Sequence, residues 1–468
     1  MRIKGIIALG VMLYGAVGLA SSPTTVKIDS GALQGASSEG INSFKGVPFA
    51  KPPVGELRWK APQVPDKWSG ARDATKYQLP CTQPTNSDGK TPNGGGVWGQ
   101  TAEDCLYLNV FAPANAQRAP VMVWLHGGAS YLGGGHLGGY NGEAFAKHGV
   151  ITVTVNYRLG PLGYFAHPAL TQAAGANEWL GSYGLMDAVA ALQWVQRNIA
   201  QFGGDTRNVT VFGQSAGGGM VMSLLSVPSA KGLFAKAGVQ SGASLRPATS
   251  LADAEKTGAE LVSKLGLSGA TATLAELRAI PAAKFAIQEF ARAAGSPVDG
   301  RFRTKATVDA FADGSATYVP LLIGSNNGEG GFDNARTVAT SMSAKAPAYL
   351  YQFAYVPEWR KAAQPQGAPH SAEIVYVFDS WKHSSSGDPR VNDTDRQVAQ
   401  RVNSCWVAFA KADVKAKSLA CADGFKWPGY TPSTDDAAVF GTTPSLAKSA
   451  TLKNGPPPGA PRGSMAPN

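Results

Sequence analysis

The segment Gly213-Gln214-Ser215-Ala216-Gly217 offers the most chemistry in this chain. A serine with glycine two positions away on each side can occupy a turn too tight for larger neighbours, between a strand and a helix, with its hydroxyl held clear of the sheet. Residues 209–212 are an apolar run suited to that strand, and 220–225 suit that helix. Such a hydroxyl can attack a carbonyl once a base takes its proton. The chain has only six histidines. Where the chain order is nucleophile, acid, base, only His370 and His383 qualify, because both follow Ser215. His126 belongs to another motif, and His136, His148 and His167 read as loop or surface residues. Attack creates an oxyanion that preorganised backbone amides must meet. Residues 124–130 end an apolar run in a Gly-rich turn, so Gly128 and Ala129 are the expected donors, joined by Ala216. Losing one such donor costs roughly 3 to 4 kcal/mol of transition-state stabilisation. An acid must orient the imidazole, and Glu329, Asp333 and Glu373 are all in range; residue types alone do not rank them.

These residues need elements to place them. From Pro120 onward short apolar runs alternate with helical patterns, as in a mostly parallel sheet covered by helices. Residues 122–125, 151–155, 209–212, 319–323 and 349–353 are the expected strands. Between the second and third, Leu185, Val189, Leu192, Val195, Ile199 and Phe202 recur at helical spacing over 184–202, and Gly203-Gly204 stops the helix. The Gly-rich stretches 86–99 and 133–142 are long enough to form functional rims. Residues 444–468, rich in Pro, Gly, Ala and Lys, read as a flexible tail.

Arg2 and Lys4 precede an apolar run over 6–19 and then small residues, the pattern of a secretory signal occupying 1–20. One catalytic domain over 21–443 follows. The run is short for a membrane span, and no later segment offers one. Export puts the four cysteines in an oxidising compartment, where sequence-adjacent pairing gives Cys81 with Cys105 and Cys405 with Cys421. Each bridge closes a loop of roughly 15 to 25 residues, worth on the order of 3 kcal/mol. No His or Cys cluster has metal-ligand spacing. The net charge of +10 is scattered rather than striped with aromatics, which argues against a nucleic-acid partner. An apolar fraction of 44% against 16% charged residues excludes a disordered chain.

Two long runs, GGDTRNVTVFGQSAGG at 203–218 and EDCLYLNVFAP at 103–113, carry a resemblance to the type-B carboxylesterases, the group of the cholinesterases and bacterial para-nitrobenzyl esterases. The resemblance spans about residues 25–430. It implies an α/β-hydrolase fold, a central mostly parallel sheet flanked by helices, and a secreted or periplasmic carboxylic ester hydrolase working through an acyl-enzyme without cofactor or metal. It ranks Glu329 first among the acids and selects His370 over His383. It also makes Cys81–Cys105 the family's N-terminal disulfide loop, pairs Arg58 with Glu103 and Arg158 with Asp187, and places Ser241 near the triad. Gln214 stands where cholinesterases carry Glu, which disfavours a cationic choline ester. Trp98 lies nearer Cys105 than a choline-binding Trp would, and reads as a packing aromatic. After Gly242 the acyl side offers Leu245 and Arg246, the latter expected as a solvated surface residue. Glu329 and His370 are only 41 positions apart, so the family's cap is shortened, which suggests an open site for bulky or polymeric esters. A lipase on longer-chain esters and a non-catalytic neuroligin-like binding protein are the alternatives within the resemblance. Because a neutral imidazole is the base, activity is expected to fall as pH drops through roughly 6 to 7. Oligomeric state and natural substrate stay open.

Overall fold

Strands in this chain alternate apolar residues to both faces, which demands cover on both sides. The structure, a computed structural model, describes residues 22–287, 289, 296–383, 388–453 and 455. The expected signal segment lies outside them. One sheet of thirteen strands runs through the described residues in the order β1-β2-β3-β5-β7-β6-β8-β9-β10-β11-β14-β15, with β4 beside β2. These are β1 (Ser22–Ile28), β2 (Gly31–Ser38), β3 (Ile41–Pro48), β4 (Ala71–Asp73), β5 (Tyr107–Pro113), β6 (Ala119–Leu125), β7 (Ile151–Val155), β8 (Gly204–Gln214), β9 (Lys236–Gln240), β10 (Leu321–Asn326), β11 (Ala348–Phe353), β14 (Asp436–Phe440) and β15 (Pro444–Lys448). The strands β12 (Ser418–Ala420) and β13 (Lys426–Pro428) form a separate hairpin. From β7 through β14 every pairing is parallel, while the edges β1-β2-β3-β5-β7 and β14-β15 are antiparallel. This is the α/β-hydrolase architecture.

Val121, Val123 and Leu125 of β6 enter one buried cluster with Leu185, Val189, Leu192 and Val195 of the helix Tyr183–Asn198. Met122 and Trp124 enter the opposite cluster with Val398, Val402, Trp406 and Phe409 of the helix Asp393–Lys411. On that second face Trp124 meets Phe212 at 4.8 Å and Phe378 at 5.0 Å between ring centroids. Both expected disulfides are present, Cys81–Cys105 and Cys405–Cys421. Arg58 grips Glu103 through two bonds of 2.5 and 2.7 Å, and buried Arg158 grips Asp187 at 2.9 and 2.7 Å.

Two expectations need correction. The flexible tail does not begin at Pro444. Residues Pro444–Lys448 form β15 by pairing with β14, because two buried alanines and Phe440 in β14 leave an edge that a short strand can close. Trp98 is not a packing aromatic: within the Cys81–Cys105 loop it is 49% exposed.

Candidate active site

Placing a side chain at the carboxyl ends of parallel strands is how open α/β sheets build sites. β8 ends at Gln214, and the backbone turns sharply at Ser215, which has φ 54° and ψ −121° before the helix Ala216–Leu224 begins. A Cβ at Gly217 would fall 2.0 Å from the Leu125 carbonyl oxygen, and one at Gly213 would fall 2.6 Å from the Gly217 carbonyl carbon. Only hydrogen fits at either position, which is the physical content of the motif. The Ser215 amide donates to the Gln240 carbonyl at 2.8 Å, locking the turn to β9. Its Oγ lies 2.8 Å from His370 Nε2.

His370 Nδ1 is hydrogen-bonded to Glu329 Oε2. The other carboxylate oxygen of Glu329 accepts from Ser241 Oγ at 2.5 Å and from the Asn326 amide at 2.9 Å. Asn326, the last residue of β10, also sends Nδ2 to the Pro369 carbonyl at 2.6 Å, while the Ala368 amide donates to Asn327 Oδ1 at 2.7 Å. The acid loop and the histidine loop are thus clasped to each other. Of the rival acids, Glu373 is fully buried behind the site, accepting from Asn326 Nδ2 at 2.7 Å and Gln240 Nε2 at 3.3 Å. Burial, then the charge of Glu329, pushes its carboxyl above the usual range. Asp333 forms an exposed ion pair with Arg336. His383 binds Glu143 at 2.9 Å, away from Ser215. Gln214 Nε2 approaches His370 Nε2 at 3.2 Å, so this side chain touches the imidazole directly.

Gly128, Ala129 and Ser130 have φ of 112°, 52° and 63° in succession. A Cβ at Gly128 would strike the Leu132 carbonyl oxygen at 2.2 Å. Such a run of left-handed residues turns successive amides to one side. Among the described residues the amides of Gly128 and Ala129 donate to no protein acceptor. Ala216 is the first residue of its helix, so its amide is also one of the end groups without an intrahelical acceptor. Below this turn His126 is fully buried and stacked on Tyr157 at 4.3 Å, with Nδ1 2.7 Å from the Gly127 carbonyl. Burial pushes its pKa down to about 4, so it stays neutral. Gln83 joins the disulfide loop to this turn, accepting from the Gly133 amide at 2.8 Å and donating to its carbonyl at 2.7 Å.

Sequence reasoning missed Asn326, Asn327 and Gln83. Nothing in their local pattern marks them; a glycine-flanked acid directly after a strand hints only that something must hold it. Arg246 is exposed, as expected.

The sequence matches the Carboxylesterase family over residues 22–340 and 333–455. It is 33% identical to the para-nitrobenzyl esterase of Bacillus subtilis (strain 168), covering 91% of this chain and 95% of that one. It is 37% identical to the fumonisin B1 esterase of Sphingopyxis macrogoltabida, covering 81% and 80%. Among solved structures, a PNB esterase superposes with TM-score 0.78 at 31% identity over 91% of this chain and 98% of that one. A Geobacillus stearothermophilus carboxylesterase superposes with TM-score 0.76 at 30% identity, over 91% and 97%.

Proposed function

The chain belongs to the Carboxylesterase family and is a carboxylic ester hydrolase, and from that premise we propose a two-step acyl transfer through Ser215. Neutral His370 carries its proton on Nδ1, donated to Glu329, so Nε2 presents its lone pair to the Ser215 hydroxyl and accepts that proton as Oγ attacks the ester carbon. The amides of Gly128, Ala129 and Ala216 receive the developing oxyanion. His370 then returns the proton to the leaving alcohol. A water deprotonated by the same nitrogen hydrolyses the acyl-enzyme. Glu329 stabilises the imidazolium at each stage, with Ser241 and Asn326 keeping its second oxygen occupied.

The observation that carries this reading is the unbroken line from Ser215 Oγ through His370 to Glu329. Fluorophosphonate probes test it independently of substrate: the label belongs on Ser215 by peptide mass spectrometry. A label found on another serine, or none, overturns the assignment.

The substrate is an ester whose alcohol or acyl part is bulky. Relatives named for para-nitrobenzyl and fumonisin B1 esters support this reading. The His370 side chain is 24% exposed, in keeping with a shortened cap and a site reachable from solvent. Gln214 puts no negative charge beside the imidazole, which speaks against a choline ester. Two disulfides support an extracellular or periplasmic location. The mass of the mature amino terminus checks that; a protein retaining residues 1–20 contradicts it.

A further inference from the structure

The chain returns to the acid loop at its C-terminal end. After β15 and a short 3-10 turn over Ser449–Thr451, Leu452 packs against the core. The Lys453 carbonyl accepts from Gln352 Nε2 at 3.0 Å, and Gln352 sits in β11 opposite Ser325 of β10. The Gly455 amide then donates to the Glu329 carbonyl at 2.9 Å. A Cβ at Gly455 would lie 2.3 Å from the Glu329 nitrogen and 2.4 Å from the Gly328 carbonyl carbon. Two backbones are therefore in direct contact, and only glycine permits it. On its other side the same loop is held by Asn326 and Asn327 against residues 368–369, and the Gly328 amide donates to the Ala368 carbonyl at 2.9 Å.

We propose that this C-terminal segment is a strap that positions the Glu329 loop for hydrolysis, with Gly455 as the positioning residue. The inference rests on the reading of Ser215, His370 and Glu329 as the reacting set. Glu329 is surrounded by Gly328, Gly330 and Gly331, the residues with most backbone freedom. Its carboxylate must nevertheless stay within bonding distance of one imidazole nitrogen. Without Gly455 the loop keeps its contacts to the histidine loop, to Ser241 and to the Phe353 carbonyl but loses its one backbone bond to the C-terminal segment, and the competent geometry is populated for less of the time.

Two shortened chains separate this from a purely structural role. A chain ending at Lys453 keeps the Gln352 contact and loses Gly455; a chain ending at Pro457 keeps both. On para-nitrophenyl acetate the first should lose about five- to tenfold in kcat with KM within about twofold, and the second should match the full-length protein. Labelling of Ser215 by a fluorophosphonate should slow in parallel. In the full-length chain Gly455→Val should reproduce the loss, which covers the case of a shortened chain that does not fold. Equal activity in all of these variants removes the strap, as does an equal loss in both shortened chains. A full-length protein inert to both ester and probe removes instead the reading beneath it.

Discussion

At the scale of single residues the site is an exercise in holding one carboxylate still. Ser241 Oγ and the Asn326 amide occupy one oxygen of Glu329 so that the other faces His370. Hydrogen bonds to a charged group are worth about 1.5 to 3 kcal/mol. Ser241→Ala should therefore lower kcat/KM for para-nitrophenyl acetate by at least about tenfold while leaving Ser215 labelled at saturation; steady-state rates check this, and an unchanged kcat/KM contradicts it. Ser215 is legible because chemistry restricts it to one serine in a glycine-bounded turn; the same reasoning narrows the base to His370 and His383, and the resemblance selects His370. Glu329 was ranked by resemblance alone, since Asp333 and Glu373 satisfy the same spacing. What separates the three is their surroundings. Glu373 is enclosed behind Asn326 and Gln240, and Asp333 faces solvent beside Arg336.

At the scale of elements, the buried parallel strands were legible and the edge strands were not. β7 is Ile151–Val155 as read, and β8 contains the expected 209–212, because a strand covered on both faces must be apolar throughout. The expected helix over 184–202 divides into the helix Tyr183–Asn198 and a 3-10 turn Ile199–Phe202. β1 and β2 are short of large apolar residues and pair antiparallel at the sheet edge, so their alternation is faint. β15 is faint for the same reason, and its residues read as tail. One buried cation also went unread: Lys236 in β9 donates Nζ to the Ala410 and Ala412 carbonyls at 2.6 and 2.7 Å, capping the end of the helix Asp393–Lys411. Removing it strands the buried Ala410 carbonyl and the half-buried Ala412 carbonyl, and an unsatisfied buried acceptor costs about 1 to 3 kcal/mol. Lys236→Met should shift the urea midpoint down by an amount equivalent to roughly 2 kcal/mol or more; a midpoint equal to that of the parent contradicts the capping role.

At the scale of the whole molecule, stability should depend on pH through groups wholly or partly withdrawn from solvent. Burial pushes both His126 and His136 down to about 4. In the unfolded chain each takes a proton near the ordinary value of about 6.5. Between these limits the unfolded state binds more protons, so stability rises with pH and is lost as pH falls from about 6.5 toward 4. Glu143, held down to about 2 by its bond to His383, adds a further loss as pH falls below the ordinary carboxylate range. Thermal midpoints should fall steadily between pH 7 and pH 4.5, and a flat profile there contradicts the buried neutral state of both histidines. Because His126 is bonded to the Gly127 carbonyl, one acid-sensitive group adjoins the turn proposed to receive the oxyanion.

The central claim is that Ser215 is the nucleophile of an ester hydrolase, and hydrolysis of a short-chain para-nitrophenyl ester by the purified protein beside Ser215→Ala tests it most directly. The parent should turn over the ester, and the variant should lose at least about four orders of magnitude in kcat, as removal of a triad member does. A variant that retains the rate of the parent would contradict the account.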